Sequence, residues 1–193
     1  MSEKSSVEKA IKRNKMTAKD IALIGMMIAV IEVSKIALAQ VPNVELTTFW
    51  IILFTLYLGK RIFYVIPAFI LIEGAVYGFH LWWVIYLYAW PLLALVTMTM
   101  RKKHTYFGCI ILSGVFGLLF GLLCAIPYIF VGWFGINVDG SGLLNGLRTA
   151  FTWWVAGIPF DLVHGIANLV IMLVLYYPVS KAMQTAAKMI ENK

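Results

Sequence analysis

The chain has 193 residues, of which 62% are hydrophobic and only 13% charged, and its mean hydropathy is +0.87. A soluble domain is about half apolar and about a quarter charged, so water is excluded as the main solvent. The net charge of +7 sits in short clusters between apolar runs, a pattern that marks membrane topology and not a nucleic-acid surface.

Residues 1–16 carry Lys4, Lys9, Lys12, Arg13 and Lys15 and read as a basic tail lying against anionic headgroups. No cleavable signal peptide is expected, because the following apolar run is long and lacks a small-residue cleavage site. The membrane domain, residues 17–180, divides into six apolar runs. Span one covers about Ala18 to Ala39 and stops before Pro42 and Asn43; span two covers Leu46 to Leu58 and stops at Gly59, Lys60 and Arg61. Span three runs from Ile62 to Phe79, and His80 opens a tight turn into span four, Trp82 to Met100, which the run Arg101–His104 closes. Span five covers Tyr106 to Tyr128. A Gly-rich connection through Gly132, Gly135, Gly140, Gly142 and Gly146 leads to span six, which starts near Arg148 and ends around Pro178, before a polar tail over 181–193. Cys109 and Cys124 share span five about 22 Å apart, which excludes a bridge between them.

Fourteen of the 16 Lys and Arg residues fall in the N-terminal segment, the second and fourth loops and the C-terminal tail; Lys35 and Arg148 are the other two. By the positive-inside rule this is an all-α bundle of six transmembrane helices with both termini in the cytoplasm. Trp50, Tyr77, Trp82, Trp83, Tyr86, Tyr128, Trp133, Trp153 and Trp154 gather toward the opposite side, as an interfacial belt or as walls of a stacking pocket.

An ionisable group inside the bilayer costs at least about 2.5–3.5 kcal/mol, so each needs a partner or a purpose. Glu32 and Lys35 are three residues apart and suit an ion pair on one helix face. Glu73, Tyr77 and His80 share a face that either braces a neighbouring helix or lines a cavity. In span six, Trp154, Gly157, Asp161, His164 and Asn168 follow one helical face, so these side chains point into the bundle. Asp161 and His164 either pair with each other or serve a ligand, and Pro159 frees a backbone carbonyl beside them. Ala18, Ala22, Gly25 and Ala29 make a small-residue face on span one, for packing inside the bundle or for docking a partner helix.

The chain has no GxxxxGK[ST], HExxH or GxSxG motif and no internal repeat, so it does not hydrolyse ATP by itself and lacks the two halves of a gradient-driven transporter. The basic start, the six short spans, the small-residue face, the segment PNVELTTFWIILFTLYLGKR (42–61) and the segment IPFDLVHGIANL (158–169) together resemble the substrate-capture (S) component of an energy-coupling factor vitamin transporter. The resemblance covers nearly the whole chain after residue 16. It implies a plasma-membrane subunit of a prokaryote, with no enzymatic activity and no cofactor. Such a subunit binds a B vitamin (cobalamin, or pyridoxine, riboflavin or a similar molecule) on the outer side. It then docks on a membrane coupling subunit driven by two separate ATPases. In that family an Ala-x-x-x-Ala pattern on the first span meets the coupling subunit, and Ala18 and Ala22 match it, although Met26 stands where a third alanine would follow. The implied pocket draws on Asn43, Glu45, His80, Trp82, Trp83, Tyr86, Trp133, Arg148, Trp153 and Trp154, to which the inward face of span six adds Asp161, His164 and Asn168. The competing readings are an intramembrane enzyme using Asp161, His164 and Glu73, and an accessory subunit with no ligand.

Overall fold

The computed structural model describes residues 16–136 and 140–191, and all but the last residue of the expected basic tail over residues 1–16 lies outside them. Among the described residues the fold is all-helical, with no strand. Helix α1 (Ala18–Ala37) starts at a capping box: the Asp20 N–H donates to the Thr17 hydroxyl, and the Thr17 N–H donates back to the Asp20 carboxylate. Helix α2 (Thr47–Leu58) is apolar on every side and buried along almost its whole length, which makes it the centre of the bundle.

A single 3₁₀ turn, Gly59–Arg61, joins α2 to α3 (Ile62–Tyr77). Gly59 takes φ 62°, a left-handed conformation that favours glycine. The chain reverses at this turn. Trp50, early in α2, donates to Ser34 near the end of α1 at 3.1 Å, whereas Arg61 pairs at 2.7 Å with Asp20 at the start of α1. Helix α3 then runs alongside α1 until Glu73 meets Lys35.

Helices α4 (Leu81–Met100), α5 (Tyr106–Leu118) and α6 (Phe120–Trp133) follow, with Leu119 alone between the last two. The final helix, α7 (Leu143–Glu191), packs along α5 and α6 over much of its length. Small residues let these backbones touch. A β-carbon on Gly117 would lie 2.8 Å from the Gly165 Cα, and one on Gly146 would lie 2.3 Å from the Ile129 carbonyl oxygen.

Among the described residues, four stretches are long and apolar enough to cross a membrane: Thr47–Tyr77, Leu81–Met100, Tyr106–Trp133 and Leu143–Lys188. Helix α1 is not among them, since Lys19, Asp20, Glu32 and Lys35 interrupt it. Phe107, Ile111, Leu71 and Val174 stand exposed, as suits a lipid solvent.

The helices depart from the sequence expectation near the glycines and prolines. Gly132 and Gly146 lie inside helices and not in a loop, because they are the points of close approach between α6 and α7. Helix α7 begins at Leu143, five residues before Arg148, and passes through Pro159 and Pro178 to Glu191, so residues 181–191 are helical where a tail was expected. Proline removes one backbone hydrogen bond without forcing a stop, and here Tyr176, Val179, Met183 and Ala187 continue an apolar stripe packed on the core.

Candidate functional site

The inward face of α7 is where expectation and structure agree most closely: Asp161, His164 and Asn168 are all buried. They do not pair with one another. Each reaches a different element. His164 Nε2 lies 3.3 Å from a carboxylate oxygen of Glu45, on the segment between α1 and α2. Asn168 donates its amide to the Thr48 hydroxyl at 3.3 Å, and its backbone carbonyl accepts from Ser113 at 3.1 Å. Asp161 Oδ1 accepts the Gly121 N–H at 2.8 Å.

That last contact has a local cause. The break at Leu119 starts a new helix at Phe120, whose first backbone N–H groups have no partner within the helix and form the positive end of its dipole. Asp161 is aimed at this end. A β-carbon at 121 would fall 2.2 Å from the Asp161 carboxylate, so glycine makes the approach possible. Asp161 Oδ2 remains buried without a hydrogen-bond partner, and Asn168 Oδ1 is in the same condition.

Asp161 lines a cavity of about 400 Å³ with Asn43, Phe120, Gly121, Cys124, Trp153, Ala156, Gly157 and Phe160. Asn43 reaches it from a turn in which it adopts φ 59°, a left-handed conformation that asparagine tolerates. A second cavity of about 760 Å³ shares the Trp153 and Ala156 walls and adds Tyr128, Asn145, Arg148, Thr149 and Thr152. Trp153 stacks on Tyr128, with ring centroids 4.5 Å apart and planes 23° from parallel. The two cavities therefore place a carboxylate at one end, a guanidinium at the other and aromatic walls between. Burial raises the Glu45 carboxyl, but the hydrogen bond and charge of His164, joined by the Thr47 hydroxyl and the Lys35 charge, outweigh it and hold the group below the usual carboxylate range.

Other expected residues lie elsewhere. His80 is exposed at the start of α4, off the face of Glu73 and Tyr77, because Gly78 at φ 93° ends α3 first. Trp83 donates to the Ile70 carbonyl at 2.7 Å and braces α4 on α3. Trp133 is exposed and stacks on Phe134, and Trp154 meets Phe151 edge-on; both suit anchoring at an interface. The expected Glu32–Lys35 pair gives way to a different one. Lys35 reaches across to Glu73 and stands 3.3 Å from the Tyr86 hydroxyl, while Glu32 Oε1 is buried without a partner. The ammonium lies 5.1–5.9 Å from the ring centres of Tyr86, Tyr77, Phe69 and Trp82. It borders a third cavity of about 530 Å³ that Trp82 and Tyr86 help to line.

Gly121, Phe120 and Cys124 carry site geometry that the sequence reading did not assign. Their signal was present: Gly117 and Gly121 are a helix turn apart, and Phe120, Cys124 and Tyr128 repeat at every fourth residue. Among the described residues no group of three or more His, Cys, Asp or Glu side chains is arranged to hold a metal ion. No family model, curated protein or solved structure matches the chain.

Proposed function

We propose that the chain is the substrate-capture component of an energy-coupling factor importer. In this reading it crosses a prokaryotic plasma membrane six times, with both termini in the cytoplasm, and binds a B vitamin from outside. The reversal at Gly59 supports counting Thr47–Tyr77 as two passes. Helix α1 supplies another, with its Lys35 and Asp20 charges relieved by the Lys35–Glu73 and Asp20–Arg61 pairs.

The observation that carries ligand capture is the unpartnered Asp161 oxygen in an aromatic-walled cavity. A buried acceptor left bare costs about 1–3 kcal/mol, and a ligand donor removes that cost. Docking on a coupling subunit is supported by the exposure of Ala18, Ala22, Gly25 and Ala29, a face on which a β-carbon at Gly25 would have nothing within 4 Å. Hydrolysis of ATP then belongs to other subunits.

Thermal unfolding of the purified full-length protein against a panel including cobalamin, pyridoxine and riboflavin tests this. A ligand at about 100 times its Kd adds ~2.7 kcal/mol of stability. Asp161→Asn is expected to weaken that ligand about tenfold or more, since a hydrogen bond to a charged group contributes ~1.5–3 kcal/mol. A panel in which nothing binds would favour an accessory subunit, and conversion of a ligand to product would favour an enzyme. Against the enzyme stands the His164 ring, which faces Glu45 and leaves Asp161 without a basic partner.

A further inference from the structure

The pairing of Lys35 with Glu73 leaves one charge over. Glu32 stands one helical turn before Lys35 on α1, and its carboxyl group lies within hydrogen-bonding reach of the Glu73 carboxyl on α3. Two ionised carboxylates in contact repel, and each can only accept a hydrogen bond. The fold nevertheless seals them together: Glu73 is fully buried, and Glu32 Oε1 and Glu73 Oε1 are both buried with no donor. Lys35 takes the other Glu73 oxygen and sets one positive charge against two carboxyl groups.

Among the described residues, the groups around this cluster do not supply the missing charge. Tyr86, from α4, places a hydroxyl 3.3 Å from the ammonium, and Tyr77, from α3, places a ring centre 5.4 Å from it. Helix α2 carries no charged residue. Glu45, on the segment between α1 and α2, is a further carboxylate in the field of Lys35 and Tyr86, and its own partner is His164.

A single proton removes the conflict. On either carboxyl it makes an O–H that donates to the other, so both bare oxygens gain a partner at once. It also brings Glu32, Glu73 and Lys35 to zero net charge, which a low-dielectric interior favours. A proton occupies almost no volume, so it fits where neither oxygen has surface to offer a larger ligand. We infer that Glu32 and Glu73 form a proton-binding site that holds one proton between them, and that losing this proton loosens the seating of α1 on α3. Glu73 borders the third cavity, and Lys35 beside it is partly exposed there, which gives the proton a path to and from water.

Infrared spectroscopy of the full-length protein in detergent provides the test, because the C=O stretch of a protonated carboxyl is separate from the carboxylate bands. At about pH 6, where an ordinary glutamate with a pKa of about 4.3 is almost wholly ionised, a protonated-carboxyl band that shifts in heavy water should be present. Glu32→Gln should abolish it, since the amide N–H then donates to Glu73 in place of the O–H, while Asp161→Asn should leave it. In the unmutated protein the band should fade as pH rises, a readout independent of how the variants fold. A proton kept by the folded protein and released on unfolding makes stability fall as pH rises above about 4.3. The unfolding equilibrium constant in denaturant should therefore climb by up to about tenfold per pH unit relative to that of Glu32→Gln, with the smallest gap at about pH 4. Glu45 titrates alike in both proteins and cancels from the comparison. The inference is overturned if no protonated carboxyl is present at about pH 6, if the band survives Glu32→Gln, if Asp161→Asn removes all of it, or if the two stability profiles run parallel.

Discussion

Lys35 shows how a buried charge is tolerated and why its partner was hard to read from sequence. Residues three apart on a helix are neighbours at the backbone, which made Glu32 the natural choice. A lysine stem spans several ångströms, however, and the aromatic rings of α3 and α4 draw the ammonium away from its own helix. Removing one member of such a pair strands the other, so Lys35→Met or Glu73→Met alone should cost about 3–5 kcal/mol, whereas the double variant should recover most of it. Denaturation of the four proteins in detergent gives the coupling energy directly. Glu45 makes a separate prediction. Its carboxyl is held below the ordinary value, so its contribution is fully present above the unfolded-state pKa of about 4.3 and is lost as pH falls through the lower folded value. Melting temperature should therefore drop in that acidic window, and Glu45→Gln should flatten the drop.

Among the elements, the pairing of α5 and α6 with α7 is the one on which the candidate site depends. Gly121→Ala drives a methyl group into the Asp161 carboxylate and is expected to cost ~1–3 kcal/mol and to weaken any ligand held by Asp161. Gly114→Ala is the matched control. Its β-carbon would meet Leu169 at 3.4 Å, an ordinary contact, and alanine favours the helix by about 0.5–1 kcal/mol, so this variant should be neutral or slightly stabilising. The same elements mark the limit of what a sequence discloses. The inward face of Asp161, His164 and Asn168 was legible because helical periodicity alone dictates it. The partners of that face were not, because Glu45 and Thr48 lie about 120 residues away and only packing brings them near. Glycines read as loop because their packing role depends on a neighbour that the local sequence does not contain. Pro178 read as a stop because the apolar stripe beyond it is sparse.

For the whole molecule, the Lys and Arg clusters among the described residues gather at one end, with the Arg61–Asp20 pair and the hydrogen bond from Arg101 to the Leu56 carbonyl, while Lys35, Glu45 and the aromatic cavities lie toward the other. The proposed orientation puts the second end outside. Single cysteines at Asn43 and Asn145, in a Cys109→Ala/Cys124→Ala background, should react with an impermeant maleimide on intact cells, and one at Lys102 only after permeabilisation. Reversed labelling would remove both the orientation and the capture role.

Helix α7 is one element of 49 residues, about 74 Å of continuous rise. Both the Asp161 cavity and a cavity near its other end, lined in part by Tyr176, Pro178 and Gln184, draw on it, so the two share a single rotational clock. One alanine inserted between Asn168 and Tyr176 would turn everything downstream by about 100° relative to everything upstream. The helix would be forced to choose which end keeps its alignment, and the winner of that contest would reveal which cavity is anchored more firmly by its neighbours.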